Sequence, residues 1–326
     1  MAERDAGVRA SDHPMAVSMV DLPWIDAERV ARLLPIADTV AVIEDALLAG
    51  LDPRTDPPRT AVTTASGQLL LMPAEATSRV GVKVASVAPD NPARGLARIQ
   101  AVYVLMDAET LTPLALLDGT AVTSVRTPAV SAVAVRHLTD AGASRLVVFG
   151  SGPQAWGHVQ ALRAIRSVAE VVVVGRRRDR AHSFAERVRA SGLQASVGEA
   201  SAVADADLVV CATTAGEPLF DGDLVPDHAC VVAVGSHEPH RRELDAGLLR
   251  RASVVVEDAG TALREAGDVV MAVREGALGP DELIGLADVV TGRARIGPER
   301  PRVFKSVGMS WQDLVVATEI HRRHGR

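Results

Sequence analysis

The chain is short of aromatic residues: three Trp, one Tyr and four Phe make up 2% of 326 positions. Side-chain platforms on which nucleic-acid bases could stack are therefore scarce. The formal net charge is −6 and no long run of Lys or Arg occurs, which argues against nucleic acid as a general partner. Only two cysteines are present, Cys211 and Cys230, each inside an apolar strand-like run. They read as small core residues, with no sign of a disulfide framework, and no His or Cys spacing suggests a metal site. No apolar stretch approaches membrane-spanning length, and Met1 to His13 is polar with no apolar core of a signal peptide. The expectation is a cytoplasmic protein whose first dozen residues are disordered. Its 48% hydrophobic and 23% charged content is ordinary for a globular chain, and its length suffices for two domains.

Against this background one stretch stands out. Arg145-Leu-Val-Val-Phe149 reads as a buried strand, followed by Gly150-Ser151-Gly152-Pro153-Gln154-Ala155 and a helix. The spacing is GxGxxA. Gly150 permits a tight turn, Gly152 leaves room for a pyrophosphate to approach the main chain, and Ala155 lets the helix pack close to the strand. The helix N-terminus offers free N–H groups and partial positive charge to phosphates. A strand before and a helix after supply the context that such a fingerprint needs, so these residues are expected to bind a dinucleotide.

The next strand, Glu170 to Val174, ends in Gly175-Arg176-Arg177-Arg178. A site that prefers NAD normally carries Asp or Glu there, to hold the ribose 2′-hydroxyl. Arg176 and Arg177 would instead pair with a 2′-phosphate. NADP(H) is the expected cofactor and NAD(H) the alternative, with Asp179 then serving the ribose from one turn further on.

Organisation follows from periodicity. Asp26 can cap a short helix through about Leu34, and Ile36 to Leu48 reads as a second helix closed by Gly50. Alternating runs at 60–64, 69–72, 81–88, 100–106 and 113–117 suggest antiparallel strands, with turns at Ser66-Gly67 and 107–110. Thr127-Pro128 reads as a helix start, Thr as N-cap and Pro at the first helical position. Further strands are expected at 207–212, 229–234 and 253–257, alternating with helical or loop segments, and a C-terminal helix runs through Ile320 with Trp311, Leu314, Val315 and Ile320 on its apolar face. The fold class is α/β: a Rossmann-type doubly wound parallel sheet at 128–304, plus an α+β domain at 14–127 completed by 305–326.

Four residues outside the fingerprint carry chemistry. Lys83 shares a strand face with Gly81, Ala85 and Val87, where a charge is costly unless it meets a partner or snorkels to the surface. Arg59 follows Pro57-Pro58, and ion pairing at the surface is as good a reading as ligand binding. Arg126, just before the expected helix start, would reinforce the helix dipole as an anion site, or pair with an acidic residue. His237 follows the 229–234 strand at its carboxyl end, where ligands of doubly wound sheets bind and where an imidazole can exchange a proton near neutral pH; a loop histidine with no role is as good a reading.

Together these pieces resemble the ornithine cyclodeaminase/mu-crystallin family, in particular its ketimine-reductase-like branch. The likeness spans about Val20 to Ile320. It rests on Pro58-Arg59-Thr60, Met72-Pro73-Ala74, Gly81-Val82-Lys83, Asn91 through Gly95-Leu96, and Leu117-Asp118-Gly119. It continues through Arg126-Thr127 with Ser131-Ala132, the glycine turn, Ala233-Val234-Gly235, Arg242-Glu243-Leu244-Asp245 and Val303-Phe304-Lys305-Ser306. The resemblance implies that the first domain, with the C-terminal helix, binds substrate and forms a homodimer. It implies that Arg59, Lys83 and Arg126 grip a substrate carboxylate and its neighbouring C=N or C=O group. It places Arg126, Thr127, Thr213, Val234 and Ser306 on the cofactor side. Cyclodeaminase members carry an aspartate where this chain has His237, so reduction of a cyclic ketimine acid is the leading expectation. Ornithine cyclodeamination, amino-acid dehydrogenation and non-catalytic ligand binding with NADPH are the alternatives.

Overall fold

The computed structural model describes residues 22–76 and 78–325. The polar first dozen residues, and the beginning of the first expected domain, lie outside that range. β1 (Trp24–Ile25) leads into α1 (Ala27–Leu33), which Asp26 caps by accepting the Arg29 N–H at 2.9 Å. α2 (Ile36–Leu48) follows and ends before Gly50, whose φ of 94° lets the chain reverse. Then come β2 (Thr60–Thr64), β3 (Gly67–Ala76), β4 (Arg79–Val87), β5 (Ile99–Asp107) and β6 (Pro113–Asp118). They form one sheet in the order β1-β6-β5-β4-β3-β2, antiparallel except that β1 runs parallel to β6. The strands expected from alternation are all present. β1 was not expected, since two residues are too short for any pattern.

Alternation gives this sheet two unlike faces. Gly81, Lys83, Ala85 and Val87 of β4, with Tyr103 and Leu105 of β5 and Ala115 and Leu117 of β6, point into the core. Val62, Leu69, Leu71, Val84 and Val102 remain exposed on the opposite face.

The helix expected to start at Thr127-Pro128 starts nine residues earlier. α3 spans Gly119–Leu138, and its N-cap is Asp118, which accepts the Ala121 N–H at 2.9 Å. Pro128 therefore lies inside the helix, where its missing N–H withdraws the usual donor from the Ser124 carbonyl. Packing compensates: every residue from Arg126 to Val135 is buried, so this half of α3 is core on all sides. Arg126 sits mid-helix, and the expected contribution of a helix N-terminus at that position does not apply. α3 is also continuous across the boundary expected between 127 and 128, so both sheets share it.

The second sheet begins with β7 (Arg145–Phe149), α4 (Pro153–Ile165), β8 (Glu170–Val174), α5 (Arg178–Ala190), β9 (Gln194–Val197) and β10 (Leu208–Cys211). It continues through β11 (Cys230–Ala233), α6 (Ala246–Arg251), β12 (Ser253–Val256), α7 (Ala259–Glu265), α8 (Gly267–Arg274), β13 (Ile284–Gly285), α9 (Leu286–Val290) and β14 (Arg302–Lys305). All eight strands are parallel, in the order β13-β12-β14-β11-β10-β7-β8-β9. The order reverses between β7 and β10, the switch point at which such sheets open a crevice for ligands. β14 arrives late in sequence yet inserts between β12 and β11, which carries Ser306 to the middle of the sheet edge. α10 (Ser310–His324) then returns to pack on α2, α3, β3 and β4. Among the described residues no helix is long and apolar enough to cross a membrane.

Candidate active site

The expected cofactor residues gather at the carboxyl edge of the parallel sheet. Gly150 has a φ of 112°, and a Cβ there would lie 2.5 Å from the Ala212 carbonyl oxygen. Only glycine fits that turn. A Cβ on Gly152 would meet nothing within 4 Å, so space lies open in front of the α4 N-terminus. No side chain caps α4, leaving its first N–H groups to a ligand. Thr127 Oγ1 and Gln154 Oε1 are buried beside this turn without a partner among the described residues. An open cradle with unused donors and orphaned polar atoms fits a dinucleotide.

A cavity of about 450 Å³ adjoins the turn, lined by Ser151, Gly152, Asp179, Ser183, Phe184, Arg180 and Arg187. The Arg187 guanidinium lies 3.8 Å from the centre of the Trp156 ring, which steadies it. Arg177 pairs with Asp179 at 2.8 Å, whereas Arg176 has no carboxylate within salt-bridge reach among the described residues.

Buried charges hold the neighbouring turns. Glu243 Oε1 accepts the Thr213 N–H at 2.8 Å and the Thr213 hydroxyl at 2.7 Å, and its Oε2 accepts the Gly235 N–H at 2.7 Å. One carboxylate thus ties the loops after β10 and β11 together. Burial pushes its pKa up, and Lys305 opposes that shift. Asp268 accepts the Glu243 and Leu244 N–H groups and pairs with Lys305 at 3.0 Å, while Lys305 donates to the Ser236 carbonyl at 2.7 Å. The segment Val234–His237 is built on this framework. Burial and the nearby Arg59 hold the His237 pKa below the usual imidazole value, so its ring is neutral at pH 7.

Facing this edge is a cluster of cations. Lys83 Nζ lies 2.7 Å from Asp313 Oδ2 and donates to Thr123 Oγ1 at 3.2 Å. Arg126 Nε lies 3.2 Å from Asp313 Oδ1, and its Nη1 donates to Gln312 Oε1 at 2.8 Å. Arg59 pairs with Glu265 at 2.8 Å and donates to the Gly308 carbonyl at 2.5 Å. Glu257 accepts the Ser306 hydroxyl at 2.9 Å and the Val307 and Gly308 N–H groups, fixing the segment that leaves β14. Arg59 and Arg126 therefore meet at Gly308, and Lys83 joins Arg126 through the Asp313 carboxylate. Burial brings the Lys83 pKa down to about 8, with Asp313 opposing the shift.

Ser151 and Gly152 line the cavity, whereas Arg176 and Arg177, at the end of β8, are not among its lining residues; Arg59 and Arg126 meet at Gly308, and Lys83 joins Arg126 through Asp313. The sequence reading missed the carboxylates that organise them: Glu243, Glu257, Glu265 and Asp313. A signal existed for Asp313. The first turn of α10 is polar at Ser310, Gln312 and Asp313, and every one of those residues is buried. Polar residues on the buried face of an amphipathic helix ask for partners.

A doubly wound nucleotide fold thus faces a buried cluster of Arg59, Lys83 and Arg126 with their carboxylate partners, set against a second sheet. The model of the ornithine cyclodeaminase/mu-crystallin family matches residues 24–325, and the chain belongs to that family. It is 34% identical to a Delta(1)-pyrroline-2-carboxylate reductase of Bacillus cereus, over 92% of this chain and 95% of that one. It is 33% identical to the ketimine reductase mu-crystallin of Mus musculus, over 91% and 96%. Its fold matches, with a TM-score of 0.87 and 27% identity, the Thermococcus litoralis Delta(1)-pyrroline-2-carboxylate reductase in complex with NADH and L-proline, covering 93% of this chain and 98% of that one.

Proposed function

We propose that this chain reduces the C=N bond of a cyclic imine bearing an adjacent carboxylate, of the pyrroline- or piperideine-2-carboxylate type, to the saturated ring. The observation that carries this reading is the pair Lys83 and Arg126 on the single carboxylate of Asp313: each cation keeps N–H donors that Asp313 does not take, and a substrate carboxylate can use them. A bound nicotinamide supplies the hydride that the imine carbon takes up. The ring nitrogen gains a proton, so the product is a secondary amine. Arg126 and Lys83, with Arg59, hold the carboxylate, which sets the face of the imine turned to the cofactor edge. Lys83 stabilises the negative charge next to the reacting carbon and polarises the substrate. His237, neutral at pH 7, orients the water that delivers the proton.

NADP(H) is the preferred cofactor on this reading, because Arg176 stands where a carboxylate would favour NAD, and Arg180 and Arg187 line the cavity beside it. The exposed apolar face of β2–β5 is the surface of a homodimer, since five large aliphatic side chains on one open sheet would otherwise face water.

The test is a panel of cyclic imino acids and amino acids assayed with NADPH and NADH. Oxidation of NADPH in the presence of a cyclic ketimine acid supports the reading. Ammonia release from ornithine with no net change in nicotinamide absorbance would replace it with cyclodeamination.

A further inference from the structure

Asp313 comes from the last helix of the chain, yet it is the point at which the two halves of the cationic pocket meet. Its carboxylate is wholly enclosed. One oxygen takes the Lys83 ammonium of β4 and the other the Arg126 Nε of α3. We propose that Asp313 is a positioning residue for the reduction: it touches no substrate, and it aims Lys83 and Arg126 so that their remaining donors face the same carboxylate. The inference rests on the reading that Lys83 and Arg126 grip the substrate.

Counting donors supports this role. Lys83 has three N–H groups; Asp313 and Thr123 take two, leaving one for a ligand. Arg126 has five; Asp313 takes Nε–H and Gln312 one on Nη1, leaving three on the end of the guanidinium. Gly308 packs in front of that end, where a Cβ would lie 2.7 Å from Nη2, so its missing side chain is what leaves room there for a ligand oxygen. Gln312 is itself held, donating to Glu257 Oε1 at 2.5 Å. The same packing keeps the arginine from swinging toward Gly308. The α10 N-terminus that presents Gln312 and Asp313 is anchored in turn, because Asp56 accepts the Ser310 and Trp311 N–H groups at 2.8 and 3.1 Å.

Charge makes the same point. The groups that face Lys83 are Asp313 from α10, Arg126 from α3 and Arg59 from the β2 side, two cations against one anion. Tyr103 of β5 stands opposite Lys83 in register, and burial keeps its phenol protonated. Asp313 is thus the counter-charge that lets Lys83 and Arg126 stay charged side by side out of water.

The experiment compares Asp313→Asn, Asp313→Glu and Lys83→Ala with the unmodified enzyme, using pyrroline-2-carboxylate and NADPH. Asp313→Asn should lower kcat/KM by ~10²-fold or more and move the fall of kcat/KM at high pH to lower pH, with NADPH affinity unchanged. Should that variant fail to fold, Asp313→Glu keeps the charge but displaces it by one methylene: the high-pH limb should stay and kcat should fall by about tenfold or more. A second readout is independent of turnover. The chain has two lysines, Lys83 and Lys305, so lysine labelled with carbon-13 gives two side-chain signals. The Lys83 signal should titrate at lower pH in Asp313→Asn. Wild-type turnover in Lys83→Ala would remove the substrate reading itself. Lost turnover in Lys83→Ala, beside wild-type kcat/KM and an unmoved lysine titration in Asp313→Asn, would overturn the role of Asp313 alone.

Discussion

Pro128 of α3 seats its ring against Gly157 of α4, so closely that a Cβ on Gly157 would lie 2.7 Å from Pro128 Cγ. The contact joins the helix that carries Arg126 to the helix that opens at the glycine turn. It also explains how a proline survives mid-helix. The lost hydrogen bond is offset by tight packing against a residue with no side chain.

A larger residue at position 157 must push these helices apart. Gly157→Val should destabilise the fold by about 1–3 kcal/mol, as overpacking does. It should also weaken NADPH binding, because α4 begins at the cofactor cradle. Chemical denaturation and a fluorescence titration with NADPH measure both. Unchanged stability would mean that the α3–α4 contact is looser than described.

Lys83 sets the behaviour at high pH. Its pKa is brought down to about 8 by burial, so the free enzyme holds the ammonium charge below that pH and loses it above. On this account kcat/KM falls as pH rises through about 8. A bound carboxylate stabilises the charge, so the limb in kcat lies at higher pH. Lys83→Ala should lower kcat by ~10²-fold and abolish the limb. A pH–rate profile flat to pH 10 would count against the role of Lys83.

Cofactor choice separates two neighbouring arginines. Arg177 is already tied to Asp179, whereas Arg176 is available to a 2′-phosphate. Arg176→Ala should cost about tenfold in the preference for NADPH over NADH, the scale of one charge-assisted hydrogen bond. Arg177→Ala should cost less. Steady-state kinetics with both cofactors tests the ranking, and an equal effect of the two substitutions would contradict it.

Assembly is read from the open face of the first sheet. Leu71 and Val84 are cross-strand partners on that face, and both are exposed. The unmodified chain should scatter light as a particle of twice its 34.2 kDa, and Leu71→Arg with Val84→Arg should yield monomers. A monomeric unmodified chain at micromolar concentration would remove the dimer from the account.

Local patterns in the sequence were enough to reveal the glycine turn, the five antiparallel strands and the lysine on an apolar face. Each announces itself through a period of two or a residue out of place within a few positions. Pro128 misled because a proline most often sits in the first turn of a helix, and nothing nearby in sequence reveals the bare surface of Gly157 that accommodates it. β13 has only two residues, and β9 and β14 mix polar Gln194, Ser196, Arg302 and Lys305 with apolar residues, so neither shows the apolar run that marks β10, β11 and β12. The partners of the site cations were illegible for a different reason. Lys83 and Asp313 lie 230 residues apart, and only the return of α10 to the first sheet brings them together.

The central claim is hydride delivery to the carbon beside the carboxylate held by Lys83 and Arg126. Its most direct test supplies pyrroline-2-carboxylate with NADPH carrying deuterium at C4 of the nicotinamide, and locates the label in the product by mass spectrometry and NMR. The account predicts proline with one deuterium, on the carbon that bears the carboxylate, formed ~10²-fold more slowly by Lys83→Ala. Unlabelled product with each face of the nicotinamide labelled in turn, or no consumption of the imine, would contradict it.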